Sequence, residues 1–223
     1  MCGKFTQHSS WQQVHAFSQP LVVDSPSELV VSTPMRPAYI MRLDPSGNRV
    51  MVPMRWGFSG VNDKTPSRPR HIHARGETID TLRTFAQAFQ EARGILMVAT
   101  FNEGEEVDGK TKQWVITPTD RLPIAIAVIC EQWTNGTDAL DTFVMATTTP
   151  NDLIARITDR MPAILPRDTW ATWLGETEAA TEDVKGLLRT YEDGGNWTME
   201  PQQPSRTPRP SKPPEQKTHG ELF

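Results

Sequence analysis

The sequence predicts an α+β fold built on antiparallel sheet, and three observations carry that expectation. Seven short apolar runs read as strands, bounded by Gly, Pro, Asn and Asp. Few stretches keep helical spacing for more than two turns. The chain of 223 residues, 37% hydrophobic and 22% charged, suits one domain with a full core, or two small ones.

Taken in order, Ser9 or Ser10 caps a short amphipathic helix over Trp11–Phe17, which Pro20 ends. Leu29–Thr33 reads as a strand stopped by Pro34. Ala38–Leu43 and Arg49–Val52 flank Asp44-Pro45-Ser46-Gly47-Asn48, a hairpin with strong turn chemistry. After Pro53–Phe58 comes a polar loop, Ser59–Arg70, whose length and basic character suit binding. Leu82, Phe85, Ala88 and Phe89 give Ile79–Ala92 a helical spacing. Gly94–Phe101 is an apolar strand that delivers Asn102 to Glu106 at its end. Trp114–Thr117, Ile124–Trp133 and Thr142–Thr148 are further strands. Asn151–Ile157 reads as a helical turn, and Arg167–Leu174 and Glu182–Tyr191 as short helices. From Pro201 the composition turns to Pro, Ser, Lys, Arg and Gln. Residues 201–223 are therefore expected to be a disordered basic tail behind a domain at 1–200.

Composition narrows the function. The two cysteines are Cys2 and Cys130, and Cys130 lies in the apolar run Pro123–Cys130, so a disulfide framework is not expected. No secretory pattern opens the chain, and no apolar run approaches the ~18 residues of a membrane helix. A reducing, cytoplasmic setting is expected. Net charge is −4, yet Arg36 to Arg93 holds ten Lys or Arg against five Asp or Glu. An acidic protein with such a stretch can carry a local nucleic-acid face; a plain solvated surface is the alternative.

Cys2 is the most chemically pointed residue. Removal of Met1 would leave an α-amine, reference pKa about 7.7–8.0, beside a thiol at about 8.5. Such a 1,2-aminothiol condenses with an aldehyde to a Schiff base. The thiol then closes a thiazolidine ring, which no internal residue can do.

Four segments occur in order: Met1-Cys2-Gly3-Lys4-Phe5, Arg55-Trp56-Gly57, Ala74-Arg75-Gly76-Glu77-Thr78, and Asp159-Arg160-Met161-Pro162-Ala163-Ile164-Leu165. Together they resemble the SRAP family (SOS response-associated peptidases), abasic-site processing proteins, across roughly residues 1 to 175. The resemblance implies a compact, barrel-like core of antiparallel sheet with flanking short helices and a positive groove leading to the cysteine. It implies that Cys2 traps the ring-opened aldehyde of an abasic site in single-stranded DNA as a covalent thiazolidine, with no cofactor or metal and as a monomer. The family's catalytic glutamate falls on Glu103. Glu105 and Glu106 stay as neighbouring alternatives, and an exposed loop acid is the bland reading. The DNA-binding set is Lys4, Arg55, Trp56, Gly57, Arg75, Thr148 and Arg160. Arginines grip phosphate bidentately and tryptophan stacks on bases; core packing for Trp56 and structural ion pairs for Arg75 and Arg160 are the alternatives.

Two positions depart from the family pattern. The family's Asn is His73, and its catalytic histidine is Thr158, which cannot act as a base near pH 7. His73 or His71 compensates, or part of the chemistry is lost. The Trp that follows the family's glutamate is Gly104. The competing functions are a non-catalytic single-strand binder and an N-terminal-nucleophile peptidase or amidohydrolase. Cys2, His71, His73 and Glu103 form a conceivable metal set, but nothing in their spacing demands one.

Overall fold

The computed structural model describes residues 2–7, 30–60, 63, 65–66 and 68–203. Its strands are β1 (Lys4–Gln7), β2 (Val30–Ser32), β3 (Pro37–Leu43), β4 (Arg49–Trp56), β5 (His73–Arg75), β6 (Arg93–Val98), β7 (Thr100–Val107), β8 (Lys110–Pro118), β9 (Ile124–Asn135), β10 (Asp138–Thr148), β11 (Met161–Pro162) and β12 (Trp197–Pro201). Among the described residues helices are few and short: α1 (Arg83–Glu91), α2 (Trp170–Leu174) and α3 (Thr181–Gly186), with 3-10 turns at Ile154–Arg156 and Arg167–Thr169. This is the α+β, mainly antiparallel architecture that the strand pattern predicts.

Two sheets divide the strands. One runs β12-β8-β7-β1-β2, all antiparallel. The other runs β10-β4-β3-β6-β9 and closes on itself, because β9 pairs β10 as well. The closing seam, Thr142 against Arg55 and Phe143 against Trp56, is parallel. β5 and β11 pair with the end of β10 beyond the ring.

The ring strands read as continuous apolar runs because both of their faces are covered. Along β9, Ile124, Ile126, Val128 and Cys130 enter one core, and Ala125, Ala127 and Ile129 enter another. The first core packs the ring against the five-stranded sheet through Phe5, Phe101 and Ile116. The second packs it under the helices through Phe85, Phe89, Trp170 and Trp173. The period of 2 thus assigns each strand residue to one core or the other.

Local chemistry explains the joints. The Asp44–Asn48 hairpin forms as expected, with Asp44 Oδ1 accepting from the Ser46 and Asn48 amides at 2.9 and 2.8 Å and Gly47 at φ +80°. Arg93 donates to the Phe89 and Gln90 carbonyls that α1 leaves unpaired at its C-terminus. Gly175, at φ +88°, ends α2.

Several elements differ from expectation. The expected single strand Gly94–Phe101 is two: the chain leaves the ring at Ala99, whose amide bonds the Thr6 carbonyl, and enters the other sheet. Asn102 to Glu106, expected just past the end of that strand, lie inside β7. The Ile79–Ala92 helix is shortened to Arg83–Glu91, and Glu182–Tyr191 to Thr181–Gly186, since Leu188 turns into the helical core. β1, β5, β11 and β12 are additions. Pro201 closes β12 opposite Trp114. The Trp11–Phe17 helix with its Ser9 or Ser10 cap, and the tail from 204 onward, lie outside the described residues. Among the described residues no helix is long and apolar enough to cross a membrane.

Candidate active site at the N-terminal cysteine

β1 and β7 bring the cysteine and the glutamate together. Lys4 pairs with Asn102 and Phe5 with Phe101, so the residues preceding Lys4 run past Glu103. Cys2 is buried, and its thiol donates to the Lys4 carbonyl at 3.4 Å. Burial, with the Glu103 carboxylate beside it, pushes the thiol far above its usual range. The site therefore holds a neutral thiol that needs a base before it attacks.

Glu103 is the carboxylate that stands beside it. It is fully buried, and burial raises its pKa to about 7. The Cys2 backbone amide counteracts this, and the Asp159 carboxylate adds to it. A carboxyl at about 7 exchanges protons readily near neutrality. Glu105 and Glu106 are engaged elsewhere: Glu105 accepts from Trp114 Nε1 at 2.8 Å, and Glu106 from the Thr111 hydroxyl at 2.5 Å.

His73, on β5, closes the third side. Burial lowers its pKa to about 4, and the nearby Cys2 backbone offsets only part of that. Both ring nitrogens are buried without a hydrogen-bond partner among the described residues. The imidazole is neutral at pH 7 and too weak a base to replace a histidine poised near neutrality. His71 is elsewhere, exposed and edge-on to Phe85 at 5.3 Å. Thr158 is half-buried beside Asp159, at the rim from which Asp159 acts on Glu103. Among the described residues no group of three His, Cys, Asp or Glu is placed to hold a metal.

The expected DNA-contact residues separate into two groups. Trp56 is fully buried between Phe5, Phe143 and His73, with ring centroids at 5.3, 6.3 and 5.9 Å, and its Nε1 donates to Ile72 O at 2.9 Å. It offers no face to a base; its bulk supports His73 and β1. Gly57, at φ +115°, passes so close to Pro69 that a Cβ would lie 2.3 Å from the proline's Cβ; its role is backbone. Arg55 is spent on the following loop, donating to Pro66 O and to Ser59 Oγ. Arg160 is buried and paired bidentately with Glu77 at 2.5 and 2.8 Å, and also donates to Thr147 O. Thr148 is buried on β10. Lys4, half-buried, and Arg75, exposed at the end of β5, remain open to an anion.

Trp114 was absent from the expected set. It is the direct cross-strand partner of Glu103.

A closed β-ring packed on a second sheet, with the residue after Met1 against a buried glutamate, defines the class of protein. The chain belongs to the SOS response associated peptidase (SRAP) family, whose model matches residues 1–203. It is 27% identical over 206 residues to the abasic site processing protein YoaM of Bacillus subtilis, covering 86% of this chain and 87% of that one. The abasic site processing protein YedK of Escherichia coli is 26% identical over 195 residues, covering 82% and 83%. A crystal structure of a protein from Bordetella bronchiseptica shares the fold with a TM-score of 0.74 at 19% identity, over 91% of this chain and all of that one. A second, from Bacteroides thetaiotaomicron, has a TM-score of 0.73 at 18% identity, over 89% and 92%.

Proposed function

We propose that the protein processes abasic sites in single-stranded DNA by forming a thiazolidine cross-link through Cys2 once Met1 is removed. The observation that carries this reading is the contact of Cys2 with a buried glutamate whose pKa is about 7. Membership of the SRAP family and likeness to proteins named for abasic site processing point the same way.

The steps balance without a cofactor. The Cys2 amine adds to the aldehyde carbon of the ring-opened sugar, giving a carbinolamine. Glu103, in its protonated form, gives a proton to the departing hydroxyl, and water leaves. The iminium that remains is attacked by Cys2 Sγ; Glu103, now a carboxylate, takes the thiol proton, and the ring nitrogen keeps the electron pair. Aldehyde and aminothiol become thiazolidine and water. A carboxyl near pKa 7 serves both steps, because neither form is scarce at neutral pH. His73 adds a neutral wall rather than a second base, and Lys4 and Arg75 supply positive charge for the backbone.

The test is a denaturing gel of purified protein with abasic and intact single-stranded oligonucleotides. A shifted band is expected with the abasic oligonucleotide alone, from protein lacking Met1. Cys2→Ala removes the stable band and leaves at most a Schiff base that borohydride traps. No band from the wild-type protein means that no cross-link forms, and the reading fails.

A further inference from the structure

Glu103 is flanked on both neighbouring strands. On the β1 side lies Cys2, and on the β8 side lies Trp114, directly opposite Glu103. Cross-strand partners project to the same face of a sheet. Neighbouring strands are ~4.8 Å apart, so Trp114 stands about two strand spacings from β1, the strand that Cys2 leads into.

Trp114 has the features that Trp56 lacks. It is half-buried, and it is the last aromatic of β8 before the exposed residues Lys110 to Lys112. Its indole is fixed: Nε1 donates to Glu105 Oε2 at 2.8 Å, which holds the ring plane without covering its faces. The Lys112 ammonium lies over the ring, 4.0 Å from the centroid. An exposed ammonium on an aromatic face is a weak contact. A phosphate is a stronger partner for that ammonium.

Beside Glu103 on β7 is Gly104, where a Cβ would lie 2.8 Å from Thr111 Cγ2 and 3.2 Å from Gln113 Nε2. Gly104 pairs with Gln113 and so faces the side of the sheet opposite Glu103; the aromatic directly across from the glutamate, on its own face, is Trp114 of β8.

We propose that Trp114 is the stacking platform for the nucleobase flanking the abasic site. Lys112 covers the ring in the free protein and moves to the DNA backbone when the strand arrives. The proposal rests on the abasic-site reading given above and adds to it the group that positions the lesion. The base flanking a lesion is intact, so a π face beside Glu103 sets where the missing base falls. Trp114 is a positioning residue, since the reacting atoms belong to Cys2 and Glu103.

The experiment is a cycle of two changes. Cross-linking rates below saturation are measured for an abasic oligonucleotide with its flanking bases present and for one whose flanking positions are also abasic, with wild type and Trp114→Ala. The wild-type protein is expected to favour the intact flank by about 5- to 150-fold, the range for one base–aromatic stack. Trp114→Ala is expected to lose that preference, while Trp114→Phe keeps most of it. Trp114→Leu, which keeps apolar bulk but no π face, replaces the alanine variant if that one unfolds. Lys112→Met should lower the log–log salt slope by about 0.7, one phosphate's share on a single strand. If the variants lacking the ring discriminate the flank as the wild type does, Trp114 is not the platform, although cross-linking by Cys2 stands. A wild type that forms no adduct on either oligonucleotide overturns both readings at once.

Discussion

Arg160 meets Glu77 in a two-pronged ion pair, and the same guanidinium donates to the Thr147 carbonyl. Arg160 is 8% exposed and so cannot reach a phosphate without abandoning this pair. It ties the segment after β5 to β10, and it accounts for the low pKa of Glu77.

Arg160 and Arg75 should therefore behave oppositely. Arg160→Ala removes the pair with Glu77 and one of the two donors to the Thr147 carbonyl, which keeps the Gly76 amide, and should cost roughly 1–3 kcal/mol of stability, read as a lower urea midpoint. It should leave the salt dependence of single-strand binding unchanged in the surviving folded protein. Arg75→Ala should hardly change the midpoint and should flatten the log–log salt slope by about 0.7. An Arg160→Ala protein of full stability with a flattened slope would return Arg160 to the DNA.

Trp56 gives a second contrast. Removing a fully buried tryptophan typically costs about 3–5 kcal/mol, and here it would also remove the shorter of two hydrogen bonds to the Ile72 carbonyl. Trp56→Ala should lower the unfolding midpoint sharply, and Trp56→Phe by less. Loss of DNA affinity with no loss of stability would mean that the ring is accessible after all.

Glu103 stores part of this cost in its protonation. Its folded pKa of about 7 lies above the ordinary 4.5, so the folded state holds the proton more tightly than the unfolded chain. The associated stability is fully present below pH 4.5 and is lost as pH rises through 7. The loss amounts to about 3 kcal/mol above that window, at 1.36 kcal/mol per unit. Glu103→Gln should match the wild type's midpoint at pH 4, exceed it at pH 8, and cross-link poorly at both. Parallel stability curves from pH 4 to pH 8 would show that the carboxyl is not strained by burial.

Much of this was legible in the residues. The Asp44–Asn48 turn and the apolar run ending at Cys130 have one reading each, since turn chemistry and double-sided burial leave no alternative. Glu103 could be located only by resemblance, because polar residues in β7 conceal the strand. Asp108-Gly109, at φ +50° and +72°, is the hairpin signal that reveals β7 and β8, and with them Trp114 opposite Glu103. The fates of Trp56 and Arg160 were not written locally. Alternation puts Trp56 on the face of Met54 and opposite Arg55, but only the packing of the second sheet shows that this face is closed. Arg160 finds Glu77 from 83 positions away.

His73 decides how the chain manages without the family's histidine. The sequence invites the idea that its ring replaces the base missing at Thr158. The structure weakens that idea on energetic grounds, since burial drops His73 to about 4 and leaves a neutral, weakly basic ring at pH 7. A base with a depressed pKa contributes stability that is complete above 6.5 and lost as pH falls through 4. His73→Asn should therefore lessen acid sensitivity in that window while slowing cross-linking only several-fold at pH 7. The rate profile of both proteins should follow the Glu103 titration near pH 7, and Glu103→Gln should flatten it. Adding Thr158→His to His73→Asn then supplies an imidazole next to Asp159, whose carboxylate favours the protonated ring. That double variant should cross-link at least as fast as wild type. If His73→Asn alone abolishes the reaction, and the wild-type profile titrates below pH 6, the proton passes through His73 and the role assigned to Glu103 is wrong.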